Sequence, residues 1–111
     1  MKVEINDGED GISDVIVTGR MDLAGVSAAE AGFNIVAASR KNVVADFSGV
    51  EFLASLGMRT LVMTAKALAS KGGKMLILRP QASVEKALRT AGLDTIIPII
   101  DTREAAASHF K

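Results

Sequence analysis

Three side chains bound the chemistry open to this chain: the carboxylates of Asp22 and Asp46 and the hydroxyl of Ser55. Two carboxylates beside a hydroxyl would suit acid–base or hydrolytic work at a surface site. A serine nucleophile needs an imidazole to take its proton. The only histidine is His109, close to the C-terminus, and nothing in the sequence brings it to a serine. A lone terminal histidine is ordinarily solvated surface. There is no Cys, which removes thiolate metal sites, disulfides and a Cys nucleophile. No Walker or Rossmann glycine pattern follows an apolar run, and the residues between Gly49 and Gly57 are too apolar to cradle a phosphate. No catalytic set, metal site or cofactor is read from the residues.

The same side chains have simpler structural roles. Ser55 stands where a helix begins, so its hydroxyl is expected to cap that helix, a contribution of about 1 kcal/mol. Asp22 is expected to cap an earlier helix in the same way. Asp46 is expected to hydrogen-bond the loop after its strand. Asp46 to Gly57 joins a buried strand to a helix start, and such loops usually carry the function of parallel sheets.

Alternating strands and helices must position these residues. Lys2 to Ile5 alternates polar and apolar, as a half-solvated strand does. The turn residues Asn6 to Gly11 lead into the β-branched run Val15-Ile16-Val17, which completes a hairpin. After Asp22, Val26, Ala29, Phe33, Val36 and Ala37 recur at helical spacing. Val43 to Phe47 is apolar without alternation and predicts a strand covered on both faces, broken at Ser48-Gly49. A helix from about Ser55 to Lys71 follows, with Leu61, Val62, Ala65, Leu68 and Ala69 as its buried stripe and Gly72-Gly73 as its stop. Met75 to Leu78 is another buried strand. Val84, Ala87, Leu88 and Ala91 share a face of the next helix, with Gly92 as its C-terminal glycine. Ile96 to Ile100 predicts a last strand, placed at an edge by Pro98. Asp101 with Glu104 predicts the capping box of a final short helix.

The order β-β-α-β-α-β-α-β-α implies an α/β fold with a mixed, mostly parallel sheet and about four helices. Residues 1–111 are expected to form one domain. Thirteen basic and thirteen acidic residues cancel, and Trp and Tyr are absent, which disfavours direct nucleic-acid binding. The apolar runs fall short of the roughly 20 residues a membrane span needs. A cysteine-free chain starting Met1-Lys2-Val3-Glu4-Ile5, without a long apolar run there, is expected in the cytoplasm.

Four motifs in register carry a family resemblance. They are Gly19-Arg20-Met21-Asp22, the stretch Asp46 to Gly57, Gly72-Gly73-Lys74, and Leu88-Arg89-Thr90-Ala91-Gly92-Leu93. Together they resemble the STAS-domain anti-sigma-factor antagonists of the SpoIIAA and RsbV type over almost the whole chain. The resemblance implies a non-enzymatic STAS domain in a partner-switching pathway that regulates transcription. It implies that Ser55 is the serine phosphorylated by a partner kinase, and that Asp22, Ser55, Leu56, Gly57 and Met58 meet that partner. The implied partner is an anti-sigma factor that is also a serine kinase of the histidine-kinase-like ATPase type, with a PP2C-type phosphatase restoring the unmodified state. Two positions depart from the motif. Ala54 stands where the family commonly has Asp, and Leu56 where it often has Ser. The more apolar site keeps a second reading open: a constitutive STAS binding subunit of a transport complex.

Overall fold

The computed structural model describes residues 1–110. Its strands are β1 (Lys2–Asp7), β2 (Ile12–Met21), β3 (Asn42–Leu53), β4 (Lys74–Leu78) and β5 (Ile99–Ile100). Its helices are α1 (Leu23–Ser39), α2 (Ser55–Ala69), α3 (Ala82–Thr90) and a short α4 (Ala106–His109). The strands form one five-stranded sheet in the order β1-β2-β3-β4-β5. β1 and β2 are the antiparallel hairpin, and the other neighbours are parallel. The element order is the one the sequence predicts.

The two non-alternating runs lie in the inner strands, as apolar side chains on both faces require. Val43, Ala45 and Phe47 face one side with Val15, Val17, Met75 and Ile77. That side is covered by Val26, Phe33 and Val36 of α1 and by Leu61, Ala65 and Leu68 of α2; Val84 and Leu88 of α3 join the same cluster. Val44, Leu76 and Leu78 face the other side, in a smaller core with Ile12, Ile100 and Ala106. Side chains such as Phe33 and Leu61, almost without exposure, each contribute about 2 kcal/mol by leaving water.

Ala69, expected in the buried stripe of α2, is exposed at the helix end, and the structure corrects four more local expectations. β3 does not stop at Ser48-Gly49. Its pairing with β2 shifts register there and resumes at Thr18–Gly49, running on to Met21–Leu53. A bulge lets turn-forming residues stay within a strand. Gly49 permits the close approach, since a Cβ there would lie 2.7 Å from Thr18 Cγ2. The last strand is only Ile99–Ile100, preceded by a 3-10 turn at Leu93–Thr95. Pro98 has no N–H to give, but its carbonyl accepts from the Ile77 amide at 2.9 Å, and the strand does lie at the sheet edge. The final helical segment is capped by Thr102, not Asp101, with the Thr102 hydroxyl accepting from the Ala105 amide at 3.3 Å. The last correction concerns Ser55.

Candidate partner-binding site

Parallel pairing brings the ends of β2 and β3 to one edge of the sheet. Arg20 pairs with Phe52 and Met21 with Leu53, so the next residues, Asp22 and Ala54, begin α1 and α2 side by side. The Ala54 amide donates to the Met21 carbonyl at 3.0 Å and ties the two starts together. Two glycines set how tightly the helices press on the strand ends. A Cβ at Gly25 would lie 1.9 Å from the Arg20 carbonyl oxygen, which no side chain can tolerate. A Cβ at Gly57 would lie 2.8 Å from both Leu53 Cδ1 and Met21 Cγ.

Asp22 caps α1 as expected: its Oδ1 accepts from the Gly25 amide at 2.9 Å. That hydrogen bond, chiefly, holds the Asp22 carboxyl below its ordinary range; partial burial opposes it and Arg20 adds to it. Arg20 Nε lies 3.4 Å from Asp22 Oδ2, and the guanidinium sits 4.6 Å from the centre of the Phe52 ring. Arg20 thus joins the two strand ends through its cation–π contact with Phe52, while its charge pair with Asp22 stays at the β2 end.

Ser55 does not cap α2. It is the first helical residue, and Ala54, with no side-chain acceptor, holds the cap position. The Ser55 side chain is exposed, and no hydrogen bond to its hydroxyl is found among the described residues. The reason is local. Leu53 must be buried at the end of β3, which leaves one extended residue, Ala54, before the helix can start.

The five residues expected to meet a partner separate around α2. Asp22 and Ser55 lie at the same end of the molecule. Leu56 faces α1 across an open groove of about 390 Å³, which Leu23, Glu30, Arg59 and Met63 also line. Ser55 and Met58 face α3 instead. Gly57 is buried beneath, so its part is to let α2 sit against Met21. Leu23, 72% exposed, and Met63, 59% exposed, are apolar residues left in water that the sequence reading did not single out. The available signal was an apolar residue directly after a helix cap, off the stripe of Val26, Ala29 and Phe33.

Asp46 is not part of this end. It pairs with Ile16 and Leu78 well back along β3, on the opposite sheet face from Ala45 and Phe47. Its carboxylate accepts from the Ser48 amide at 3.0 Å and the Ser48 hydroxyl at 2.7 Å, the local role the sequence suggests. Asp22, Asp46 and Ser55 therefore do not converge on one acid–base site. Among the described residues no group of three or more His, Asp or Glu could hold a metal ion, and no helix is long and apolar enough to cross a membrane.

The fold has known counterparts. The model of the STAS domain family matches residues 5–106. A Bordetella bronchiseptica protein assigned as an anti-sigma factor antagonist, BtrV, is 30% identical over 71 residues. That match takes in 64% of this chain and 61% of BtrV, less than two thirds of the relative's length. The crystal structure of an anti-sigma factor antagonist from Mycobacterium paratuberculosis superposes with a TM-score of 0.86 at 28% identity, covering 98% of this chain and 92% of that one. SpoIIAA in its unphosphorylated form gives a TM-score of 0.79 at 17% identity, covering 97% of this chain and 95% of that one. Bacillus SpoIIAA in its phosphorylated form gives 0.71 at 16% identity, covering 97% and 98%; both SpoIIAA likenesses bear on the fold alone. With a family match over nearly its full length and relatives among anti-sigma factor antagonists, the chain belongs to the STAS domain family.

Proposed function

We propose that this chain is an anti-sigma factor antagonist that docks, through the end where α1 and α2 begin, onto an anti-sigma serine kinase of the histidine-kinase-like ATPase type. Phosphorylation of Ser55 ends the binding, and a phosphatase of the PP2C type restores it. The observation that carries the reading is the Ser55 hydroxyl. It is exposed and unpaired among the described residues, at the motif position, beside exposed Leu56 and near Asp22.

The physics of the switch follows from those surroundings. A phosphate adds about two negative charges. At the first residue of α2 it meets free backbone amides and no acidic residue in the first turn, so the fold tolerates it. A partner seated on Leu23 and Leu56 would have to desolvate that charge close to the ionised Asp22. Without matched cations in the partner, this cost exceeds what the apolar contacts contribute. Binding is lost with little change of fold.

The test is capture of partners on immobilised wild type, Ser55→Ala and Ser55→Asp, followed by incubation of the captured kinase with ATP and mass spectrometry. Wild type and Ser55→Ala should retain the kinase, Ser55→Asp should lose it by tenfold or more, and the phosphate should map to Ser55. Equal capture by all three, or a kinase that leaves Ser55 unmodified, would overturn the reading. One observation favours a second reading, a constitutive subunit docked on a transport ATPase: Ala54 and exposed Leu56 make the loop apolar where the family motif is polar. In that case Ser55→Asp retains its partner, and the partner is a transport ATPase.

A further inference from the structure

Ser55 borders a second concavity, separate from the groove between α1 and α2. An open hollow of about 470 Å³ lies between α2 and α3, lined by Ser55, Met58, Ser83, Lys86 and Thr90 among others. Lys86 is the one charged residue in that lining among the described residues. It is exposed, and no ion pair holds it among the described residues. The nearby carboxylates Glu85 and Asp94 are instead taken by Arg89, at 2.9 and 3.3 Å.

We infer that Lys86 is the counter-ion of a phosphate carried on Ser55, closing the hollow from α3. The inference rests on the reading of Ser55 as the modified residue. A lysine ammonium is a compact point charge on a flexible stem, suited to reaching a phosphate across an open hollow. Of the other cations at this end, Arg20 is paired with Asp22 at 3.4 Å and stacked on Phe52, and Arg59 lies one helical turn along α2 from Ser55. Arg59, however, lines the groove toward α1, and Ser55 does not. Ser55 and Lys86 share one concave lining, so Lys86 meets the phosphate from the α3 side while the phosphate stays at the start of α2, next to Leu56 in sequence. The pair ties α3 to α2 in the phosphorylated state and neutralises part of the added charge. A phosphatase must break it to reach the phosphate.

The experiment uses the full chain with phosphoserine encoded at position 55 during translation, so that no kinase is involved. A phosphorus NMR titration at low ionic strength follows the second ionisation of the phosphate, which lies near pH 6 when unperturbed. A neighbouring ammonium favours the dianion and lowers that value. Lys86→Gln should therefore raise it by roughly 0.5 pH unit relative to wild type, with Arg59→Gln unchanged. The difference should shrink in about 0.5 M salt. Equal values for wild type and Lys86→Gln, or a rise in Arg59→Gln alone, would overturn the inference. Either result leaves the proposed function standing. Conversely, a kinase that ignores Ser55 overturns that function without altering the titration.

Discussion

Where α1 and α2 start, apolar side chains are left in water; where the C-terminal segment crosses the opposite sheet face, they are sealed. At the first place Leu23, Leu56 and Met63 are exposed and α2 begins without a side-chain cap. At the second, Ala106 and Ile100 close a small core over Val44, Leu76 and Leu78. Arg103 fastens that segment to the hairpin, with Nε 2.7 Å from Asp14 and Nη2 3.2 Å from Asp10. The Arg103 guanidinium is held above its ordinary pKa, chiefly by the Asp14 hydrogen bond. Both regions belong to one sheet and differ in how much apolar surface they leave in water, and the exposed end is the one proposed to bind. A face that must only be stable hides its apolar atoms; one that binds leaves some of them exposed.

The comparison breaks first at the glycines. Gly25→Ala forces a Cβ against the Arg20 carbonyl, so α1 must move off the strand end. Alanine would gain about 1 kcal/mol in an open helix; here a net loss of roughly 3 kcal/mol or more is expected, read by urea denaturation. An unchanged midpoint would show that the helix start is not pressed on β2. Leu23→Glu sharpens the contrast from the other side. Stability should stay within about 0.5 kcal/mol, because the residue is exposed, while partner capture falls at least tenfold. A fall in stability equal to the fall in binding would make Leu23 a core residue instead.

Asp22→Ala should lower the melting temperature by a few degrees through loss of the α1 cap, and Asp22→Asn by less, because Asn also caps. The pH dependence has a definite sign. The folded Asp22 carboxyl lies below its ordinary value of 3.8, so its charge contributes stability above that pH. The advantage of wild type over Asp22→Asn should disappear as the pH falls below 3.8 through the folded value. Thermal melts from pH 3 to 7 check this, and an advantage that grows in acid would contradict the hydrogen bond from Gly25. The smallest effect belongs to Arg103→Gln. Its pairs are part-solvated, with Arg103 and Asp14 each about a third exposed and Asp10 about half, so the loss should be about 1 kcal/mol and should shrink with added salt. Amide exchange in β4 and β5 should report it before global stability does.

Much of the fold was legible from side chains whose effect is local. Asp22 caps α1 because a short carboxylate after a strand reaches the next amides whatever lies beyond. Gly72 and Gly92 take positive φ where a helix must end. The site was legible less evenly. The motif register picks out Ser55 and Asp22, but the cap expected at Ser55 falls to Ala54, and the sequence pattern does not single out Leu23, Met63 or Lys86. A preference for capping cannot tell which of two adjacent residues the preceding strand will leave free.

The sequence alone determined the order of elements and which runs must be buried on both faces, since Val43 to Phe47 and Met75 to Leu78 have no polar side to offer water. It also placed a serine at the start of α2. Only the tertiary structure decided that β3 continues past Gly49, because the partner that rewards continuation, Thr18, lies far back in the chain. Only the tertiary structure decided, too, that Ser55 and Leu56 open onto different hollows. Periodicity reports which face of an element is apolar. What lies opposite that face depends on contacts between distant residues, and these are made when the sheet assembles.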